Sequence, residues 1–290
     1  MSALLWIVII ALLVAVTCSL AGSFLQLNRQ PLMGDAMSHA VLPGIAVAFI
    51  ISGSRDTWVM LPFAAFFALV LVWMTERIGR RGRLREDASM GIVFTTMFAI
   101  GVILISAYAG YIDLDLDCVL YGELVYAPWQ RFDIAGVDMG PRAAWMLAMA
   151  LLVNLGIILL MYKELTLSSF DQSFAQVTGV PVKGVHFVYM TGVALATVAA
   201  FESVGAILVV AFLIVPPAAA RLLSRSVGGM LVGSVVFGVL SAAGGILLAA
   251  WIDTSLAGAM AFASGIFFTL AVVGQNVRKS IHANLRRETA

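Results

Sequence analysis

The chain has 290 residues, of which 62% are hydrophobic and only 11% charged, and its formal net charge is +1; the mean hydropathy is +1.02. A soluble domain carries about 25% charged residues, so a water-covered surface is excluded and lipid must cover most of the molecule. The near-neutral balance leaves no footprint for nucleic acid, and Cys18 and Cys118 are too few and too far apart for a disulfide framework.

Apolar runs long enough to cross a hydrocarbon core, about 20 residues of helix, recur along the chain. They span 3–25, 35–51, 58–75, 88–108, 143–162, 186–201, 204–222, 227–251 and 255–274. The count is about nine crossings, with a range of about eight to ten because the second and sixth runs are short for a span. Helix is the form expected of each, since an open sheet would leave backbone groups unsatisfied in lipid. The fold class is therefore all-α, a polytopic integral membrane helix bundle, with one transmembrane domain over 1–290. No strong internal repeat is visible. Gly229 and Gly233 form a small-xxx-small pair, with Gly244 and Gly245 nearby, of the kind that lets helices approach closely.

The first run has a second reading as a cleaved signal peptide, with Ser19-Leu20-Ala21 as the small-residue site. Against it, no Lys or Arg precedes the run, and the first basic residue, Arg29, follows it. That polarity suits a span running from outside to inside. Orientation follows from the basic loops. Arg77, Arg80, Arg81, Arg83 and Arg85 crowd the turn between the third and fourth runs. With that turn in the cytoplasm, 14 of the 17 basic residues fall inside, and only Arg55, Arg131 and Arg142 fall outside. The expectation is an outside N-terminus and a cytoplasmic C-terminus.

The longest polar interruption, 109–142, then lies outside and carries Asp113, Asp115, Asp117, Glu123, Asp133 and Asp138. Carboxylates alternating at spacing two fit no closed calcium loop. The stretch reads as a solvated acidic face or a docking surface for another protein.

Ionisable groups inside spans are costly, so each is a functional candidate. Residues 34–44 read Gly-Asp-Ala-Met-Ser-His-Ala-Val-Leu-Pro-Gly. Asp35 and His39, four apart, stack on one helix face. A carboxylate and an imidazole together suit manganese, iron or zinc. The alternative is an Asp–His hydrogen bond that neutralises both groups within the bundle. Two side chains do not close a metal site; further ligands must come from other helices, a partner or water. Ser38 is placed to orient the imidazole or to bond back to its own helix, and Pro43 and Gly44 loosen the helix just beyond.

Glu202 stands where the sixth run meets the seventh. It either offers a carboxylate to the pathway or caps the N-terminus of the seventh helix, where negative charge is favoured. His186, at the cytoplasmic start of the sixth run, reads as a headgroup-facing residue, and Asp253 as a helix-start or outer-loop residue. The 14 methionines are spread through the spans, as packing and not as a soft copper site. Uphill transport needs energy, yet the chain contains no Gly-x-x-x-x-Gly-Lys-Ser/Thr phosphate loop. The expectation is a transport subunit and not an enzyme, with no permanently bound cofactor. Any ATPase belongs to a separate chain.

Four stretches in order resemble the manganese, zinc and chelated-iron ABC-transporter permease family. They are 34–44; 115–123 (Asp-Leu-Asp-Cys-Val-Leu-Tyr-Gly-Glu); the loop with Phe170, Asp171, Gln172, Ser173, Phe174 and Ala175 followed by Gly179, Val180 and Pro181; and the hydrophobic motif 204–220 with its Pro216-Pro217. The resemblance covers nearly the whole chain. It implies a second permease subunit, related or identical, two cytoplasmic ATPase subunits, and an extracytoplasmic metal-binding protein that delivers the ion. It also implies residence in the bacterial cytoplasmic (inner) membrane. Residues 201–205, Phe-Glu-Ser-Val-Gly, resemble the branch that works as a heterodimer for manganese and iron. Asp35 and His39 match positions the family uses to handle the ion within the membrane. Glu202 is carried with them as a pathway residue, and the transported ion is divalent manganese, iron or zinc. ATPase-coupling candidates are Phe170 and Asp171 in the 166–183 stretch, and a turn at Pro216, Pro217, Arg221 and Arg225. An ATP-independent secondary transporter or channel for metal ions is the other functional class.

Overall fold

The computed structural model describes residues 3–53, 57–108, 124, 127–129, 131–134 and 137–288. Among them the protein is nearly all helix, with nine helices long and apolar enough to span a bilayer. Four spans come first: α1 (Ala3–Leu27), α2 (Met33–Ser52), α3 (Thr57–Gly82) and α4 (Glu86–Tyr108). A 3-10 turn (Ala127–Trp129) and a two-stranded antiparallel hairpin, β1 (Arg131–Ile134) and β2 (Val137–Pro141), follow. The span α5 (Arg142–Leu160) leads into two short helices, α6 (Tyr162–Phe170) and α7 (Gln172–Val177). The last spans are α8 (Val182–Val204), α9 (Ala206–Leu223), α10 (Val227–Ile252) and α11 (Leu256–Glu288). The residues Arg55, Asp113, Asp115, Asp117, Cys118 and Glu123, and with them the whole 115–123 motif, lie outside the described set.

α1 runs through the middle of the bundle, packed on α5, α8, α9 and α10, while α2 packs on α3 and α4. α8 joins the two groups, touching α1, α2, α3, α5 and α9. A first helix held this deeply is part of the fold, which fits the reading of that run as a span.

Lipid supplies no hydrophobic drive between helices, so close backbone packing and interhelical hydrogen bonds hold such a bundle. Asn154 of α5, almost fully buried, donates through Nδ2 to Gly192 O of α8 at 2.8 Å and to its own Ala150 O at 3.0 Å. Between α1 and α10 the Ser23 and Ser234 hydroxyls meet at 3.0 Å. The Tyr189 hydroxyl of α8 bridges one turn of α1, donating to Ala21 O and accepting from Leu25 N.

Gly22 is the tightest contact between α1 and α9: a Cβ there would lie 1.9 Å from Leu213 O. That carbonyl is four residues before Pro217, which has no N–H to bond it. α9 continues as helix through Pro216 and Pro217, with the freed carbonyl turned to a glycine. The sequence places a turn at these prolines, but the chain turns later, at Ser224–Ser226.

The hairpin lies in the outer stretch that the sequence marks as its longest polar interruption. Asp133 stands opposite Asp138 and Ile134 opposite Val137. Gly140, at φ +89, presses onto Trp6, and a Cβ there would come within 2.6 Å of the indole. Only glycine combines that φ with so close an approach.

Candidate ion site and family membership

α2 begins at Met33, so Asp35 falls in its first turn and His39 one turn later. The positive end of the helix dipole favours a carboxylate at that place, a local reason for a charge near the membrane. His39 Nε2 and Asp35 Oδ1 are 3.5 Å apart, with 24% and 38% of their side chains exposed respectively. This distance exceeds the 2.7–3.2 Å range of a protein N–H···O hydrogen bond, so the two groups face each other without closing on one another. The imidazole leans on two rings of α4, Phe94 at 5.0 Å and Phe98 at 5.6 Å between centroids. One side of the pair is thus an aromatic wall and the other is open.

Ser38, fully buried, donates to Asp35 O at 2.7 Å, so of its two sequence roles it takes the bond back to its own helix. Beyond the pair, Pro43 sits inside α2, and a Cβ on Gly44 would lie 2.7 Å from Ala64 Cα of α3. The first two turns are thereby held against a firmly docked second half. No cluster of three or more His, Cys, Asp or Glu residues able to hold a metal occurs among the described residues.

Glu202 lies in the last turn of α8, exposed, at the far end of the bundle from Asp35. The N-cap position of α9 is Gly205, three residues after Glu202. Asp253 ends α10 in the left-handed region at φ +55 and does not start α11.

The coupling candidates divide. Phe170 ends α6 with its ring exposed, and Asp171 caps α7 by accepting from Phe174 N at 2.9 Å. Phe174 and Val177 add to that exposed apolar face. Pro216 and Pro217 are buried within α9. Arg221 donates to Gln26 O at the C-terminal end of α1, a favourable place for a cation. Arg225 lies exposed in the turn after α9.

Sequence reasoning missed one pairing. His186 Nε2 of α8 meets Glu76 Oε1 of α3 at 2.9 Å. Residues 110 positions apart leave no periodic signal, and only the packing of α3 on α8 brings them together.

Nine apolar spans among the described residues, with α1 in the middle of the bundle, define a multi-pass membrane protein. The chain belongs to the ABC 3 transport family, whose model matches residues 1–275, and in that family it is a membrane permease subunit. It is similar to the manganese transport system membrane protein MntD of Bacillus subtilis, with 42% identity over 98% of both chains. It is also similar to the zinc transport system membrane protein TroD of Treponema pallidum, with 39% identity over 91% of this chain and 72% of that one. Among solved structures, PsaBC from Streptococcus pneumoniae in complex with Fab matches with a TM-score of 0.77 and 28% identity, covering 93% of this chain and 91% of that chain.

Proposed function

We propose that the chain, as one transmembrane domain over 1–290, forms half of the translocation pathway of an ATP-driven importer for a divalent transition metal. Its cargo is manganese, iron or zinc, and its residence is the bacterial cytoplasmic membrane. The observation that carries the reading is the Asp35–His39 pair, 3.5 Å apart on one turn of α2 and partly open. Such a spacing leaves the imidazole nitrogen and the carboxylate oxygen available to a borderline metal ion. The relatives named for manganese, zinc and chelated iron transport support a metal cargo.

The remaining ligands come from a second permease subunit or from water, on the open side of the pair. Glu202, at the opposite end, offers a carboxylate where the ion enters from an extracytoplasmic metal-binding protein. The N-terminus lies outside and the C-terminus inside, as the basic turn between α3 and α4 requires. That orientation puts Phe170, Asp171 and the exposed face of α7 on the cytoplasmic side, where two ATPase subunits bind. Rocking of two such subunits opens the path to one side at a time, and ATP supplies the bias between the two states.

Cells carrying Asp35→Ala or His39→Ala are expected to lose metal accumulation by about tenfold or more, with the protein still in the membrane. Accumulation at the unaltered level sinks the reading. Gradient-driven metal flux through this chain alone in liposomes would instead favour the ATP-independent channel or secondary transporter.

A further inference from the structure

A cavity of about 450 Å³ opens at the end of the bundle where α2 starts. Met33 of α2, Thr75 and Glu76 of α3, Gln172 and Gln176 of α7, and His186 of α8 contribute to its lining. At 100° per residue, Met33 lies about 160° around α2 from Asp35, so the cavity is behind the Asp35–His39 face and separate from it.

Its donor set is chemically specific. Glu76 and His186 hold oxygen and nitrogen 2.9 Å apart. Two ligands bound at about 2.1 Å and at right angles around one metal ion are separated by about 3 Å, so the pair stands at chelating distance once the proton they share has moved. Beside it, Thr75 is 3% exposed and its Oγ1 has no hydrogen-bond partner. Thr95, Thr96 and Thr191 bond back to the carbonyl four residues earlier; Thr17 and Thr197 share the unpartnered state of Thr75, but of these three only Thr75 lines the cavity. A buried hydroxyl left unmatched at a polar cavity is a costly arrangement that a ligand relieves. Gln172 and Gln176, four apart on α7, present amide oxygens from one helix face.

We propose that this cavity is a second divalent-cation site, chelated by Glu76 and His186 and completed by the Thr75 hydroxyl and a glutamine amide oxygen of α7. The ion takes the imidazole lone pair on Nε2, so the proton that bridges the pair leaves that nitrogen, to Nδ1 of the same ring or to solvent. Lys183, exposed at the rim, repels a cation and keeps the affinity modest, so the site fills only when the ion is abundant. An ion held there ties α7 and the start of α8 to α3, restraining the elements that face the ATPase subunits. The site thereby reports accumulated cation back to the transporter. Its assignment to the cytoplasmic side and to the transported class of ion rests on the function proposed above.

The full chain in lipid nanodiscs, carrying Asp35→Asn and His39→Gln to silence the first pair, is titrated with manganese(II), and free ion is read by electron paramagnetic resonance. One saturable ion per chain is expected to remain, and adding Glu76→Gln with His186→Asn should weaken it by about tenfold or more. No saturable binding in the first background, or binding indifferent to the second pair of changes, overturns the proposal. Two variants spare the buried ligands and keep the test decisive if that quadruple variant misfolds. Lys183→Ala should tighten binding and Gln172→Ala with Gln176→Ala should loosen it; unchanged affinity in both overturns the site. Because the first pair is absent throughout, failure of this titration leaves the transport reading standing, and failure of the transport test leaves this titration readable.

Discussion

Two histidine–carboxylate pairs lie at the same end of the bundle, and they are built in opposite ways. Asp35 and His39 sit on one helix, 3.5 Å apart and partly open; Glu76 and His186 meet across two helices at 2.9 Å beside a cavity. Spacing along a helix fixes the first pair whatever the neighbouring helices do. The second pair changes whenever α3 and α8 slide, and helix shifts of about 1–2 Å accompany switching in many proteins. An increase of that size takes 2.9 Å out of hydrogen-bond range. In the function proposed above, the first pair would hold an ion through a conformational cycle and the second would distinguish the states of that cycle.

The largest expected effect strikes the frame that both pairs share. Gly22→Val places a side chain where a Cβ alone would lie 1.9 Å from Leu213 O, and the cost is about 3 kcal/mol or more. A lowered thermal midpoint in detergent, with both pairs lost together, is the expected result; wild-type stability would show that the α1–α9 contact does not set the frame. Tyr189→Phe is a finer instrument. It removes the hydroxyl that joins α8 to Ala21 O and Leu25 N of α1, at a cost of about 1 kcal/mol. Tyr189 is one turn beyond His186, so manganese affinity at the cavity should fall while uptake dependent on Asp35 and His39 persists. An equal loss of both would erase the distinction between the pairs. The smallest effect is expected from exchanging the first pair, Asp35→His with His39→Asp. Both ligands keep their face, and the carboxylate only leaves the first turn and its dipole, worth about 0.3–1 kcal/mol. Metal uptake should drop about two- to fivefold, and complete loss would mean that the order of ligands matters more than their face.

What the sequence made legible follows the same division. Spans are long apolar runs, and all nine runs correspond to helices. The ends are less clear: the run 186–201 becomes α8 over Val182–Val204 because Lys183 and Glu202 interrupt its apolarity but not its helix. The hairpin went unread because the argument against sheet holds only inside lipid; the two residues between Ile134 and Val137, Ala135-Gly136, were the available turn signal. Asp35 and His39 are legible because four residues make one turn. Glu76 and His186 are not, because nothing local joins them. Arg221 and the paired prolines carried a motif, but their engagements, with Gln26 O and with Gly22 through the Leu213 carbonyl, belong to α1 and appear only in three dimensions.

The Tyr189 hydroxyl has a consequence for biogenesis. α1 is synthesised first, yet the hydroxyl that bridges its Ala21–Leu25 turn arrives 168 residues after Ala21. At membrane insertion that turn's N–H and C=O have only each other, since lipid offers no substitute. The first helix therefore enters the bilayer self-contained and takes up its final hydrogen bonding only after the sixth span has been inserted and docked.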